Sequence, residues 1–277
     1  MTIETIDSWL QRASDELVRE VFATPRLDAE IILAHTVNKP RTWLHAHGDH
    51  SLDARQIEIA NARIDLRLDH VPVAYIVGHK EFYGRRFTVS PAVLIPRPES
   101  EQMIELLREH FAQQTITTEM MRLVDIGTGS GCLGITAKLL LPELDVTLLD
   151  TSKPALDIAA KNAEQLGADV VILESNLLAT YPYAPHIALA NLPYVDETWD
   201  VSRDAMHEPP EALYATQQGL TLIEKCFDEL SRRMKPGGVA IFEADPRQWQ
   251  SIDAIARTHH FTEVASRDYA KLFVKQP

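Results

Sequence analysis

Residues 123–134 read Leu-Val-Asp-Ile-Gly-Thr-Gly-Ser-Gly-Cys-Leu-Gly, an apolar run that enters a turn rich in glycine. The run Leu123–Ile126 predicts a buried strand, and the residues from Cys132 onward predict the first turn of a helix. Glycines allow the chain to turn tightly and a ligand to approach the backbone closely. A strand, a glycine turn and a helix in this order favour an α/β fold with a nucleotide-like ligand at the turn.

From Arg122 onward, predicted strands and helices alternate along the chain. Strands are predicted at 122–126, 145–150, 170–174, 186–190, 238–243 and 271–275. Helices are predicted at 131–141, 153–166, 219–234 and 246–258. Such alternation is typical of a mostly parallel sheet with helices on both faces.

The first 75 residues have a different pattern. Apolar residues recur there at helical spacing, and Pro25, Pro40 and Pro72 interrupt the runs as helix boundaries do. This region is therefore predicted to be a small helical bundle.

The segment 76–98 is predicted to connect the helical bundle to the α/β region. Phe82-Tyr83-Gly84 and Phe87-Thr88-Val89 flank a short turn and predict a β-hairpin. A helix is expected from Glu99 to Phe111, and the polar residues 113–119 predict a loop. The expected domains are accordingly 1–75, 76–98 and 99–277.

Composition bounds the kinds of function. The 277 residues carry a formal net charge of -13, which argues against a broad basic surface for nucleic acid, because phosphate binding needs clustered Lys and Arg. Cys132 and Cys226 are too few for a disulfide framework, and the first residues lack the basic and apolar regions of a signal peptide. The histidines between residues 35 and 50 lack the spacing of metal ligands. We expect a cytoplasmic protein with no membrane span and no bound metal.

The glycine turn is a candidate cofactor site. Its Gly-x-Gly-x-Gly spacing at 127–131 differs from the dinucleotide pattern Gly-x-Gly-x-x-Gly and favours S-adenosylmethionine over NAD. The N–H groups of the first helical turn favour an anionic group such as a carboxylate. Asp150 ends the next predicted strand, where a carboxylate can hold ribose hydroxyls. Asp125, at the end of the strand before the turn, is a candidate cofactor-binding residue with an orienting role. The alternative is a tight strand–helix connection that binds no ligand.

A second motif, Asn191-Leu192-Pro193-Tyr194, follows the apolar run 186–190 at the same predicted edge of the sheet. The Asn191 side-chain oxygen and the Leu192 carbonyl can accept hydrogen bonds from a flat, weakly nucleophilic amino group and stabilise the positive charge that methyl transfer creates. Pro193 is expected to fix the backbone, and Tyr194 to offer a flat face to a planar group. The motif thus suggests methyl transfer to a planar nitrogen, the alternative being a simple loop turn.

The chain resembles a known family, the bacterial release factor glutamine methyltransferases, also called the HemK family. The resemblance runs from about residue 5 to the C-terminus. It is carried by Pro72–Gly84 with Leu94–Glu99, by the turn Val124–Gly134, and by Glu208-Pro209 with the nearby Gly219-Leu220.

This resemblance implies a helical N-terminal domain that recognises the substrate, a hairpin connector and a seven-stranded Rossmann-like methyltransferase domain. It implies transfer of a methyl group from S-adenosylmethionine to the glutamine amide nitrogen in the Gly-Gly-Gln motif of class I peptide-chain release factors, which modulates translation termination. Stable nucleic-acid binding is not expected. The implied cofactor contacts are Gly127, Thr128, Gly129, Ser130, Gly131, Asp150, Asn176, Leu177 and Asn191, and the implied acceptor motif is Asn191, Leu192, Pro193 and Tyr194.

The chain departs from the family pattern at three places. The family usually has Pro where Leu192 stands, often has Asp-Trp at Asn176-Leu177, and has a glycine pair at Ala215-Thr216. The form Asn-Leu-Pro-Tyr also resembles the rRNA adenine dimethylases, so the alternative function is methylation of an adenine amine on RNA or DNA. Arg97 is a candidate substrate-binding residue that pairs with an acid of the partner or caps the site, although a solvated surface role is the alternative.

Overall fold

The computed structural model describes residues 4–112 and 121–277, so the predicted loop at 113–119 lies outside the described residues. The chain divides into two compact units. One comprises residues 1–79 together with 202–207, and the other comprises 80–201 together with 208–277. None of the described helices is long and apolar enough to cross a bilayer.

The first unit is helical, as predicted. Its helices are α1 (Ile6–Arg19), α2 (Pro25–Val37), α3 (Arg41–Ala46), α4 (Ala54–Leu68) and α5 (Val73–Val77). Their apolar faces form one core, because residues three and four apart lie on the same side of a helix. Capping boxes begin α1 and α4, so the first free N–H groups of both helices are bonded by side chains.

A short segment far along the chain completes this unit. The 3₁₀ turn Asp204–His207 brings Asp204 to within 2.8 Å of the Arg67 guanidinium. Arg67 is also paired with Asp28 at 2.8 Å, and both side chains of that pair are buried. A buried arginine with two carboxylates is a satisfied ion-pair cluster, and the sequence pattern gave no sign of this long-range pairing.

The second unit begins at Lys80, inside a β-hairpin whose strands are β1 (His79–Phe82) and β2 (Arg85–Thr88). Tyr83 and Gly84 form the turn with φ of 51° and 69°, the left-handed conformation of a tight hairpin. The 3₁₀ turn Pro98–Ser100 then leads into helix α6 (Glu101–Ala112).

Seven strands in the described part of the chain form one sheet in the order β5-β4-β3-β6-β7-β9-β8. Their bounds are β3 (Arg122–Ile126), β4 (Asp145–Asp150), β5 (Val171–Glu174), β6 (Ile187–Ala190), β7 (Val239–Glu243), β8 (Phe261–Ser266) and β9 (Ala270–Lys275). The first five in this order are parallel, β9 is antiparallel to β7, and β8 is antiparallel to β9.

Helices cover both faces of this sheet, as predicted. They are α6 together with α7 (Cys132–Leu140), α8 (Lys153–Leu166), α11 (Thr221–Arg233) and α12 (Trp249–Thr258). The short α9 (Pro210–Leu213) and α10 (Thr216–Gly219) lie between β6 and α11 along the chain. In β3, Leu123 packs in the core on one face while Val124 and Ile126 pack on the other. This alternation follows from the two-residue repeat of a strand.

The sheet reverses its strand order at β3, which lies between β4 and β6. In open α/β sheets, ligands bind beyond the carboxyl ends of the strands at such a point. The glycine turn follows β3 and the Asn191 segment follows β6, so the topology brings the two motifs to the same place.

Candidate active site

A cavity of about 360 Å³ lies at the carboxyl ends of β3, β4, β5 and β6. Most of the residues predicted for the site line it. They are Arg97, Gly127, Thr128, Gly129, Ser130, Asp150, Asn176, Leu177, Asn191, Leu192 and Pro193. The predicted site residues Asp125, Gly131 and Tyr194 are not among the lining residues.

Asp125 lies behind the glycine turn and holds its shape. Its Oδ2 accepts hydrogen bonds from the Thr128 hydroxyl at 2.6 Å and from the Gly134 N–H at 2.9 Å. The side chain is 1 % exposed, and burial raises the pKa of Asp125 to about 6 despite these two bonds. Asp125 therefore orders the glycine turn, while its carboxylate, expected among the cofactor-binding residues, has no direct access to the cavity.

The turn itself approaches the acceptor motif closely at Gly127. This residue has a φ of +69°, and a Cβ atom there would stand 3.1 Å from Cδ2 of Leu192. The departure from the family pattern at position 192 thus places a leucine side chain against the glycine turn. Leu192 is 4 % exposed, so its side chain seals the junction between the two motifs.

Asp150 ends β4 and faces the cavity. Its Oδ2 accepts the Gly129 N–H and its Oδ1 accepts the Ser152 N–H, each at 2.9 Å. A carboxylate oxygen has more than one acceptor direction, so both oxygens retain capacity for ligand hydroxyls. The backbone bonds fix the carboxylate in place before any ligand binds.

The segment after β5 forms the adjoining wall. Asn176 is exposed and Leu177 is buried, and both line the cavity. Leu177 has a φ of +50° and packs into the core beneath the site. The leucine therefore provides an apolar surface where the family often has an aromatic ring.

Asn191 and Tyr194 face different surroundings. The Asn191 Nδ2 donates to the Ser100 hydroxyl at 3.1 Å, and the residue lines the cavity. The Tyr194 ring packs against the core, and its hydroxyl donates to Oε1 of Glu243 at 3.2 Å. Burial, followed by the nearby Glu243 carboxyl, raises the pKa of Tyr194 well above its ordinary value. Tyr194 thus anchors the end of the motif inside the protein and does not offer its face to the cavity.

The Gln248 side chain links the segment at Tyr194 to the segment at Gln218. The Gln248 Nε2 donates to the Tyr194 carbonyl at 2.8 Å and to the Gln218 carbonyl at 2.7 Å. The next residue, Gly219, has a φ of +80°, and a Cβ atom there would be only 1.9 Å from the Tyr194 carbonyl oxygen. The segments around 194 and 218 are therefore packed backbone to backbone.

The opposite wall is held by a buried carboxylate. The Glu208 side chain is 2 % exposed, and its Oε2 accepts the Ile95 N–H at 3.0 Å. Its Oε1 forms an ion pair with Arg97, which lines the cavity and is 35 % exposed. Both oxygens of Glu208 thus order the loop that carries Arg97.

Local sequence patterns assign no role to Ser100, Glu208 or Gln248. Each of these residues acts through a contact between segments far apart in the chain, which periodicity does not reveal. The only available signal was the place of Glu208 in the family block with Pro209.

The fold and the cavity define an S-adenosylmethionine-dependent methyltransferase. Residues 100–216 match the family model described as methyltransferase small domain, and residues 8–78 match the PrmC N-terminal domain. Among solved structures, the T. thermophilus 16S rRNA N2 G1207 methyltransferase in complex with AdoMet and guanosine is 17% identical with a TM-score of 0.54, covering 72% of this chain and 50% of that one. The hMettl16 catalytic domain is 14% identical with a TM-score of 0.51, covering 80% and 81%. These two likenesses show the fold alone.

Curated relatives define the family more narrowly. The release factor glutamine methyltransferase of Koribacter versatilis is 35% identical to this chain, covering 89% of this chain and 93% of the relative. Those of Deinococcus radiodurans and Salmonella typhimurium are 32% and 31% identical; the first covers 90% of this chain and 89% of the relative, the second 94% of each. The chain belongs to the family of release factor glutamine methyltransferases.

Proposed function

We propose that this protein transfers a methyl group from S-adenosylmethionine to the side-chain amide nitrogen of the glutamine in the Gly-Gly-Gln motif of class I peptide-chain release factors, and so modulates translation termination. The observation that carries the proposal is that Asn191 and Leu192 line the same cavity as the glycine turn and Asp150. The names of the curated relatives supply the acceptor: each is a release factor glutamine methyltransferase.

The lining residues suit the polar groups of the cofactor. Asp150 has acceptor capacity for ribose hydroxyls. The positive end of the α7 dipole, at Cys132 directly after the turn, favours a carboxylate. Leu177 offers an apolar surface for a flat base. When bound, S-adenosylmethionine supplies an electrophilic methyl group on a sulfonium sulfur.

The acceptor motif addresses the poor nucleophilicity of an amide. The lone pair of an amide nitrogen is delocalised, so its attack requires correct placement and stabilisation of the charge that develops. The Asn191 Oδ1 and the Leu192 carbonyl accept the two amide N–H bonds, which holds the nitrogen and favours the cationic transition state. The extra proton leaves to water after transfer, so the chain need not provide a general base.

Two further assignments belong to this proposal. Arg97, ordered by Glu208, is the residue that meets the main chain or an acidic group of the release factor at the wall of the site. The helical domain, 1–75, selects the release factor. Deleting it should reduce methylation of an intact factor more than methylation of a short Gly-Gly-Gln peptide, with cofactor affinity as the check that the remaining domain is folded. An equal effect on both acceptors would contradict this role.

The alternative is methylation of an adenine amine in RNA or DNA, whose enzymes need an unpaired or flipped base and usually a basic groove. The net charge of -13 and the curated relatives favour the glutamine acceptor. The test is incubation with labelled S-adenosylmethionine and three acceptors: a class I release factor, the same factor with its Gly-Gly-Gln glutamine replaced, and ribosomal RNA. Label should enter only the intact factor. Label in the RNA, or equal label in the substituted factor, would refute the proposal.

A further inference from the structure

We infer that Glu243 is a positioning residue that fixes which end of the Asn191 side-chain amide faces the acceptor. The inference rests on the proposed function, because it concerns how that site presents an oxygen to an incoming NH2 group. It assigns to Glu243 a role through Asn191 and no contact with the substrate.

The amide of Asn191 is a group with two possible polarities. Its oxygen and its NH2 have nearly the same size, so a rotation by 180° exchanges an acceptor for a donor at little steric cost. Only the partners of the amide decide between the two orientations. An NH2 presented to the cavity would face the NH2 of the substrate, and two donors cannot bond to each other.

In the structure the Asn191 Nδ2 is turned to Ser100, and its Oδ1 accepts a bond from no described residue. Ser100 is 1 % exposed, so its hydroxyl is inside the protein and not available to water. A hydroxyl can accept or donate, and Ser100 alone therefore does not impose the orientation. A further group must decide that Ser100 accepts and Asn191 donates in the hydrogen bond between them.

Glu243 is such a group. It ends β7 beside β6, is 1 % exposed, and receives the Tyr194 hydroxyl at Oε1. Its Oε2 is buried with no hydrogen-bond partner among the described residues. An ionised carboxylate accepts only, so donors in its vicinity turn their hydrogens toward it. With Ser100 and Asn191 beside this carboxylate, the NH2 end of Asn191 is drawn inward and the oxygen is left for the cavity.

The surroundings of Glu243 also make its ionisation sensitive to pH near neutrality. Burial raises the pKa of Glu243 to about 7, and the nearby Glu99 carboxyl acts in the same direction. The polar side chains of Ser100, Tyr194 and Asn191 lie close enough to lower it, and of these the Tyr194 hydroxyl donates a hydrogen bond to Oε1.

Two further titratable groups are affected by the same carboxyl. It raises the pKa of the Cys132 thiol, after the larger effects of desolvation and of the Asp125 carboxyl, and that of the Tyr194 phenol. Both stay protonated near pH 7. Arg97 lies close enough to act on Tyr194 in the opposite direction. Among these groups, Glu243 changes charge near pH 7, whereas Asp125 behind the glycine turn, with a pKa of about 6, ionises at lower pH.

The test compares methylation kinetics of Glu243→Gln with the wild type. Gln has the same shape but carries a donor, so Asn191 is no longer held in one polarity. We expect kcat to fall roughly 100-fold, the cost of misdirecting one transition-state group, while cofactor affinity changes by less than about twofold, within ordinary error for a group outside the pocket.

The wild-type kcat should rise as pH passes about 7, following ionisation of Glu243, and the variant should lack that rise. Glu263→Gln, which removes a carboxylate paired with Lys271 away from the cavity, is the matched control.

A second substitution separates polarity from mere packing. In the double variant Asn191→Asp with Glu243→Gln, the carboxylate at 191 presents an oxygen in either orientation and the amide at 243 donates to it. This pair should recover kcat by roughly tenfold or more over Glu243→Gln, about the value of one hydrogen bond to a charged group. Asn191→Asp alone should be inactive, because the new carboxylate would lie beside the buried carboxylate of Glu243. A wild-type-like kcat in Glu243→Gln, or a double variant no better than that single one, would overturn the inference.

Two measurements keep the test decisive. The melting curve shows whether Glu243→Gln folds. If it does not, Ser100→Ala removes the hydroxyl between Glu243 and Asn191 with the loss of one oxygen, and it should show the same kinetic pattern. The side-chain NH2 resonance of Asn191, assigned by its absence in Asn191→Asp, should be protected from exchange in the wild type and exposed in Glu243→Gln. This resonance is read without an acceptor, so a failure of the glutamine assignment and a failure of the positioning role give different results. Equal exchange in both proteins would overturn the inference.

Discussion

Replacing Gly219 with alanine should disturb the acceptor motif from a position outside the cavity. The new Cβ atom would stand 1.9 Å from the Tyr194 carbonyl oxygen and 2.6 Å from Nε2 of Gln248. Because contacts below 3.0 Å are essentially never seen for Cβ atoms, the two backbone segments must separate by about 1 Å. Gly219 also has a φ of +80°, which adds about 1 kcal/mol of strain for a residue with a Cβ.

Gly237→Ala is the matched control, since that residue has a φ of +86° but no atom within 4 Å of the new Cβ. We expect the control to lose about 1 kcal/mol in free energy of unfolding and to keep its activity. Gly219→Ala should lose about 2–4 kcal/mol, because the steric clash adds about 1–3 kcal/mol to the same strain.

The assays are urea unfolding and methylation kinetics with a release factor as acceptor. A shift of about 1 Å at Tyr194 should lower the kcat of Gly219→Ala by roughly 100-fold with cofactor affinity retained. If Gly219→Ala and Gly237→Ala were equal in both stability and kcat, the tight packing between the segments around 194 and 218 would not matter for the site, and the reasoning would be refuted.

Three other changes test separate parts of the site. Asn191→Ala should lower kcat by roughly 100-fold or more with cofactor binding retained; near-normal turnover would exclude its acceptor role. Asp150→Ala should weaken S-adenosylmethionine binding by roughly 10- to 100-fold in calorimetry, through lost hydrogen bonds to the ribose, and unchanged affinity would contradict this. Glu243→Gln should change how stability depends on pH. The wild-type pKa is raised from 4.5 to about 7. The free energy of unfolding is therefore highest below pH 4.5, where the group is protonated in both states, and it falls by about 3 kcal/mol as pH rises through 7. Urea unfolding at about pH 5 and about pH 8 should show a smaller fall for the variant than for the wild type.

Much of the α/β architecture could be predicted because its strands are buried and its turns carry glycine. The bounds of β3 and β4 agree with the prediction, and those of β6 and β7 differ by one residue. Strand β8 was missed. It is the edge strand of the sheet and most of its residues are exposed, so it lacks the apolar run that marks an internal strand.

The site was only partly accessible from sequence. Asn191 and Asp150 could be assigned to the site because each follows or ends a predicted strand, and the carboxyl ends of parallel strands lie together at one edge of the sheet. The orientation of Tyr194 was not predictable, since its hydroxyl is directed by Glu243 some 50 residues later in the chain. The supporting contacts of Ser100 and Gln248 are likewise set by tertiary packing, which local sequence does not encode.

The most direct measurement is a crystal structure of the protein with S-adenosylhomocysteine and a Gly-Gly-Gln peptide. We expect the glutamine amide nitrogen to lie within about 3 Å of both Asn191 Oδ1 and the Leu192 carbonyl oxygen, facing the cofactor sulfur. A glutamine side chain bound elsewhere, or an Asn191 that turns its NH2 toward the peptide, would contradict it.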